Sequence, residues 1–222
     1  MKLFTALVWP LFVLSASAST LSRTLCDCRG TINGGSGSEM YICNDQRLGP
    51  RVLPRKLPLG TLTASYDRFG GLTPGQFLDK WWSTADNRWI FPEQNGFQLN
   101  TDSNGINGTT VLEPGTLVDR FGGEGGRFVS AADAPFSQRA LPPSNLNTNA
   151  STPNFPYDYH IYRVVKPLTV VGGPIRPWFG QPGLGTQFFT GSTNINDLLT
   201  QGFLQREDPE ILTDGKKNGC GI

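Results

Sequence analysis

The chain has 222 residues, 37% of them hydrophobic, which is enough for one sizeable core, and its 27 glycines and 17 prolines point to many turns. Lys and Arg total 19 against 18 Asp and Glu, a formal net charge of +1. That balance argues against the polybasic surface of a nucleic-acid-binding or membrane-binding protein.

In chain order, Lys2 provides a positive start, Leu3 to Leu14 forms an apolar run broken by Pro10, and Ala16-Ser17-Ala18 has the small residues of a cleavage site. These features predict a signal peptide over residues 1–18 and an exported protein, secreted to the medium or the cell surface. The run is too short to span a bilayer. Residues 19–58 read as an irregular lobe of loops, with "TINGGSGSE" and "RLGPRVLPRKLPLG". The four cysteines, Cys26, Cys28, Cys43 and Cys220, suit an oxidising compartment. A Cys26–Cys28 ring would be small and strained, so two pairings remain open. Each joins one of Cys26 and Cys28 to Cys43 and the other to Cys220. A metal site at "CDC" has too few further ligands in a chain with one His.

Thr73-Pro74 reads as a helix start, with Phe77, Leu78, Trp81 and Trp82 spaced to bury one face. "RWIFPEQNGFQLN" follows as strand and turn, and "TDSNGINGTT" as a polar loop. From Leu112 the pattern changes to short runs bounded by Gly and Pro, which read as strands: "TLVDRFG", "GRFVSA", "YHIYRVVKPLTVV" and "TQFFTG". "NINDLLTQGFLQ" reads as an amphipathic helix that stops near Gly202. The predicted class is α+β: a small, mostly antiparallel β core with a few short helices, plus the disulfide-stapled N-terminal lobe. The main domain is expected over residues 59–222. Asn107 and Asn149 head glycosylation sequons, usable if the chain is exported. Glu207, Asp208, Glu210 and Asp214 could hold calcium, but their spacing matches no EF-hand loop and charge runs near a terminus are usually solvated. No cofactor is expected to be required.

The word "DRFGG" occurs twice, at Asp67–Gly71 and Asp119–Gly123. The first copy runs into the Thr73 helix start, so its glycines have a turn to make. The second runs into "GGEGGRF", where clustered glycines suggest backbone N–H groups facing a ligand, with Arg120 at the lip. Arg offers a planar fork of donors suited to phosphate. A tight hairpin is the structural alternative. "PIRPWFGQPGLGTQFF" is a second glycine loop, flanked by aromatics and closing on Gln187 between Thr186 and Phe188. Backbone donors, aromatic planes, an Arg and a neutral amide have the composition of a nucleotide pocket.

"TLVDRFGGEGGRFVS", "RALPP", "YRVVKPLTV" and "PWFGQPGLGTQF", in this order and spacing, resemble the tuberculosis necrotizing toxin family, NAD glycohydrolases found in bacterial toxins and secreted fungal enzymes. The resemblance runs from about residue 59 to 204, and the signal peptide and cystine lobe make the chain most like the fungal members. It implies hydrolysis of the nicotinamide–ribose bond of NAD, and of NADP, with Arg120 and Gln187 as the residues needed for activity and Phe128 packed on the substrate. The first "DRFGG" then belongs to a scaffold helix. Other expected substrate contacts are Phe121, Gly122, Thr186, Trp178 and, as a second phosphate ligand, Arg139. Plain packing is the alternative for Trp178, and a surface ion pair for Arg139. Glu124 reads as a solvated turn residue rather than a stabiliser of the sugar cation. His160, in a strand-like run, reads as a surface or core residue. The partners expected are NAD and NADP as substrates, with no nucleic acid, no membrane and room for a homodimer. The rival functions are ADP-ribosyl transfer or cyclisation in the same pocket, which usually place a glutamate for the acceptor, and a secreted binding protein without activity.

Overall fold

The computed structural model describes residues 26–213. The expected signal peptide, Cys220 and Asp214 lie outside them. Among the described residues no helix is long and apolar enough to cross a membrane.

Seven strands make the central sheet: β3 (Gly108–Leu112), β4 (Leu117–Phe121), β5 (Phe128–Ala131), β6 (Tyr159–Val164), β7 (Leu168–Pro174), β8 (Thr186–Phe189) and β9 (Leu204–Glu207). Their order is β3-β7-β8-β5-β4-β6-β9, and every neighbouring pair is antiparallel. A two-stranded hairpin, β1 (Trp82–Ser83) with β2 (Arg88–Trp89), stands apart from it. Short helices α1 (Leu59–Leu62), α2 (Pro74–Trp81) and α3 (Ile195–Thr200), with several 3-10 turns, complete an α+β fold among the described residues. Strands β3 and β9 exceed the expected set. The polar sequence of β3 hides it, since four of its five residues are exposed at the sheet edge.

Local chemistry accounts for the helix ends. At α2 the Thr73 side chain accepts from Gln76 N and Gln76 Oε1 accepts from Thr73 N, a capping box with Pro74 at the first helical position. The helix buries Phe77, Leu78 and Trp81, and ends before Trp82, which joins β1. At α3 the Asn194 side chain accepts from Asp197 N.

Alternation gives the sheet two apolar faces. On one, Val118, Val129, Tyr162, Val164 and Leu204 pack with Ile195 and Leu198 of α3. On the other, Phe121 and Tyr159 pack with Leu62, Tyr66, Phe136 and Leu146. The N-terminal lobe is not a separate body. Its Leu48 shares a core with Phe77, Leu78, Trp81 and Phe179, and Asp27 O accepts from Gly75 N at 2.9 Å. Inside the lobe Arg47 and Asp45 form a buried pair at 2.5 Å, and a disulfide joins Cys28 to Cys43. This selects one of the two open pairings for Cys43. Among the described residues Cys26 has no disulfide partner and is exposed, its Sγ 3.6 Å from that of Cys43; its expected partner Cys220 lies outside them.

Candidate active site

Strands β4 and β5 pair only through Val118 with Ala131 and Asp119 with Ser130. Beyond Asp119 they splay, and the guanidinium of Arg120 fills the gap. Its Nε donates to the carbonyls of Gly122 (3.1 Å) and Gly123 (2.9 Å), and its Nη1 to that of Phe128 (2.8 Å). Gly126 makes room for this, because a Cβ there would sit 2.0 Å from Arg120 Nη2. The loop between the strands therefore wraps the arginine with carbonyls, and two of its amides are already taken. Gly122 N donates to Asp158 O, and Gly126 N to Gly123 O. The expectation of Gly122 as a direct contact through its amide is corrected, because that amide is bonded to Asp158. Burial pulls the pKa of Arg120 below its ordinary value, opposed by the nearby carboxylates of Asp158 and Glu124.

Next to this gap lies a cavity of about 400 Å³. Arg120, Phe128 and Gln187 all line it, so residues 67 positions apart in sequence at the extremes share one wall system built on β4, β5 and β8. Gln187 sits opposite Ser130 on β5 and Gly173 on β7. Its Nε2 donates to Asn95 O at 2.9 Å, which fixes the amide. Phe128 stacks on Phe189 at 4.8 Å, so its ring position is held from behind. Among the described residues no Asp or Glu lines this cavity.

Other expected contacts have different tasks. Arg139 reaches the cavity wall, but it forms a buried bidentate pair with Asp119 at 2.5 and 2.8 Å and also donates to Ala134 O. Asp119 takes a further hydrogen bond from Tyr159 OH. The second phosphate contact assigned to Arg139, and its alternative as a surface pair, both give way to a buried structural pair. Phe121 is 1% exposed among Phe136 and Tyr159, and touches only an adjoining cleft of about 40 Å³. Trp178 does not line the cavity: its Nε1 donates to Ile90 O at 2.7 Å and its ring packs on Trp81. Thr186 is exposed at the start of β8 and also lies off the lining.

The second glycine loop is scaffold as well. Its Gly180 packs on Gly70 of the first "DRFGG", where a Cβ would meet Gly180 O at 2.5 Å, and Gln181 Nε2 donates to Asp67 O. The first copy forms the turn before α2, not part of the helix, and packs on this loop, while the second carries Arg120, which lines the cavity. Glu124 is not a solvated turn residue. It accepts from Arg206 (2.8 and 2.5 Å) and from Tyr162 OH (3.0 Å). Burial works to raise its pKa, but those hydrogen bonds outweigh it and hold the carboxyl below its ordinary value. His160 is buried across the ladder from Arg120, with Nε2 3.0 Å from Asp158 Oδ1. Glu207 pairs with Arg163 at 2.6 Å, and Asp208 accepts from Glu210 N. Among the described residues, the group that brings three potential metal-binding side chains together is Cys26, Cys28 and Cys43, two of which form the disulfide.

The sequence reading missed one wall of the cavity. Phe91, Pro92, Asn95 and Gly96 line it from the segment after β2, and Ile175, Arg176 and Asn145 add to it. Arg176 N donates to Gly96 O (2.8 Å) and Gln98 N to Pro174 O (2.8 Å), so this segment is strapped to the end of β7. A signal was available in "IFPEQNG": two large apolar residues run straight into a turn, and both prove exposed.

The profile of the tuberculosis necrotizing toxin (TNT) family matches residues 111–206, the stretch that contains β4, β5, β8 and the cavity residues Arg120, Phe128 and Gln187. The chain is 47% identical over 173 residues to the conidial surface nicotinamide adenine dinucleotide glycohydrolase nadA of Aspergillus fumigatus, covering 77% of this chain and 73% of that protein. Among solved structures, tuberculosis necrotizing toxin complexed with its immunity factor aligns with a TM-score of 0.47 at 21% identity, over 60% of this chain and 71% of that one. Rhs1-CT in complex with its cognate immunity protein aligns with a TM-score of 0.32 at 20% identity, over 47% and 80%. The chain belongs to the TNT family, on the side of the Aspergillus fumigatus conidial surface glycohydrolase.

Proposed function

We propose that this protein is an NAD glycohydrolase: water cleaves the nicotinamide–ribose bond of NAD to give nicotinamide, ADP-ribose and a proton. The observation that carries the reading is the convergence of Arg120, Phe128 and Gln187 on one cavity with no carboxylate in its lining. Glycosidases that expel an alcohol need an acid to protonate it. Nicotinamide is bound as a pyridinium cation and leaves neutral with the bonding electron pair, so no proton donor is needed. The site has then to bind the dinucleotide, hold the ribose as its anomeric carbon becomes cationic, and admit water.

Arg120 suits the pyrophosphate. Neutral carbonyls hold it without cancelling its charge, and Nη2 makes no hydrogen bond among the described residues. Gln187, fixed through Nε2, keeps Oε1 for a ribose hydroxyl or the attacking water, where a preoriented dipole favours the developing cation. Phe128 offers its ring to the nicotinamide. NADP is an expected second substrate. The rival transferase or cyclase reading wants a glutamate poised for an acceptor, and Glu124 is instead tied to Arg206 and Tyr162. Location at the cell surface or beyond fits the sequence of residues 1–18 and the name of the Aspergillus relative. Asn107 and Asn149 are both exposed, as glycan acceptors must be.

Chromatography of products after incubation with NAD tests the proposal. Free ADP-ribose and nicotinamide in equal amounts are expected. Cyclic ADP-ribose or modified protein would favour the rivals, and intact NAD would refute catalysis.

A further inference from the structure

Three charged side chains line the main cavity, and all three are arginines: Arg120, Arg139 and Arg176. Arg120 is gripped by three carbonyl hydrogen bonds. Arg139 is neutralised by Asp119 at 2.5 Å. Arg176 has neither kind of partner. Among the described residues its guanidinium makes no ion pair and no hydrogen bond, and its one contact is the face of Trp178 at 5.1 Å. It is nonetheless held in place. Its backbone N donates to Gly96 O, and the indole beneath it is locked through Nε1 to Ile90 O and against Trp81. Phe91, on the same strap as Ile90, is 57% exposed at the cavity and leans edge-on against Phe179 at 5.5 Å.

A half-buried cation without a counter-ion, stacked on a fixed ring, keeps the in-plane edge of its fork free for an oxyanion. An exposed phenyl ring on the facing segment costs solvation unless a planar group covers it. We propose that Arg176 and Phe91 form an outer subsite of the cavity that takes the adenosine half of the dinucleotide, with Arg176 on a phosphate and Phe91 on the base. This rests on the glycohydrolase reading and deepens it: Gln187 acts at the reacting ribose, Arg120 on the pyrophosphate beside it, and Arg176 sets which dinucleotides bind. The phosphate could come from the pyrophosphate shared by NAD and NADP, or from the 2′-phosphate of NADP alone.

The test has a kinetic arm and a binding arm. Arg176→Ala should raise KM for the dinucleotide about tenfold, the size expected for a lost charge-assisted contact, with little change in kcat. The preference for NAD over nicotinamide mononucleotide, which lacks the adenosine half, should fall by a similar factor. KM rising equally for NAD and NADP would assign Arg176 to the pyrophosphate, and a rise confined to NADP would assign it to the 2′-phosphate. Phe91→Ala should weaken both substrates, and Phe91→Trp should restore them. In the binding arm, calorimetry with ADP-ribose and 2′-phospho-ADP-ribose should show the same losses without turnover. If the unaltered protein binds these ligands but leaves NAD intact, the hydrolase reading fails and the subsite is still decided by the binding losses. Equal affinity of Arg176→Ala and the unaltered protein for both ligands, or no binding by either, overturns the subsite.

Discussion

Arg120 and Gly126 occupy one volume between them, and that coupling separates activity from stability. A methyl group on Gly126 would overlap the far end of the Arg120 side chain, a flexible group that can swing away. Gly126→Ala should therefore keep its melting temperature within a few degrees while losing NAD turnover about as deeply as Arg120→Ala. For the latter, loss of one preorganised charged donor suggests a fall of about 10²–10³-fold. Arg120→Lys should recover little, since an ammonium cannot donate to three carbonyls and a phosphate at once. A Gly126→Ala enzyme of normal activity would contradict the packing of Arg120 in the loop. Gln187→Ala should lower kcat far more than it raises KM, because its contact strengthens as the ribose becomes cationic. Near-normal kcat in that variant would remove Gln187 from the chemistry.

At the scale of elements, the loop between β4 and β5 has few anchors of its own and borrows them. Ile195 N at the start of α3 donates to Gly126 O, Asn196 N donates to Glu124 O, and the Glu124 side chain reaches Arg206 on β9. Glu124 is therefore a positioning residue for Arg120. Its folded pKa is depressed, so the stability it contributes is present above its ordinary value of 4.5 and is lost as pH falls through the lower folded value. The turnover rate should be nearly flat from neutral pH down to that ordinary carboxylate range, then fall as the tether protonates. Glu124→Gln should move this acid limb and lower kcat about tenfold, the scale of a small misplacement of the binding arginine. A bell-shaped profile unaffected by Glu124→Gln would point to a titrating acid in the chemistry instead. The matched control is Arg68→Ala in the first "DRFGG". Among the described residues the Arg68 guanidinium makes one hydrogen bond, from Nη1 to Leu48 O at 3.4 Å, so kcat should hold while stability drops slightly. A rate loss equal to that of Arg120→Ala in a folded protein would reverse the assignment of the two copies.

Over the whole molecule, the lobe before α1 is wedged into the same aromatic core as α2, and the Cys28–Cys43 disulfide, spanning 15 residues, pins that lobe. A loop of this length constrains the unfolded chain by about 3 kcal/mol. For a protein of this size, reduction should lower the melting temperature by roughly 5–10 °C. Melts with and without reductant, repeated on Cys28→Ser, check this. An unchanged transition in both would mean that the lobe holds without its crosslink. The cavity strap around Asn95 is itself tied to that core through Trp178, so binding of ADP-ribose should weaken along with the lobe.

The amino-acid sequence by itself determined the short-range features. The Thr73–Gln76 capping box, the Asn194 cap, the alternation that makes Val118 and Asp119 face opposite ways, and the α+β class all follow from torsional preference and neighbouring hydrogen bonds. The motif resemblance also located Arg120, Phe128 and Gln187, which the fold gathers in one cavity. What the tertiary structure alone decided is which polar groups remain unpaired. Arg139 looks as available as Arg176 in the sequence, yet one is neutralised by Asp119, 20 residues away, and the other has no counter-ion among the described residues. Glu124 meets Arg206 across 82 residues, Trp178 meets Ile90 across 88, and Gln187 meets Asn95 across 92. Pairings at such separations depend on where the sheet brings its strand ends together. A residue's type fixes how many hydrogen bonds it can make, but only the folded chain fixes which of them are already taken.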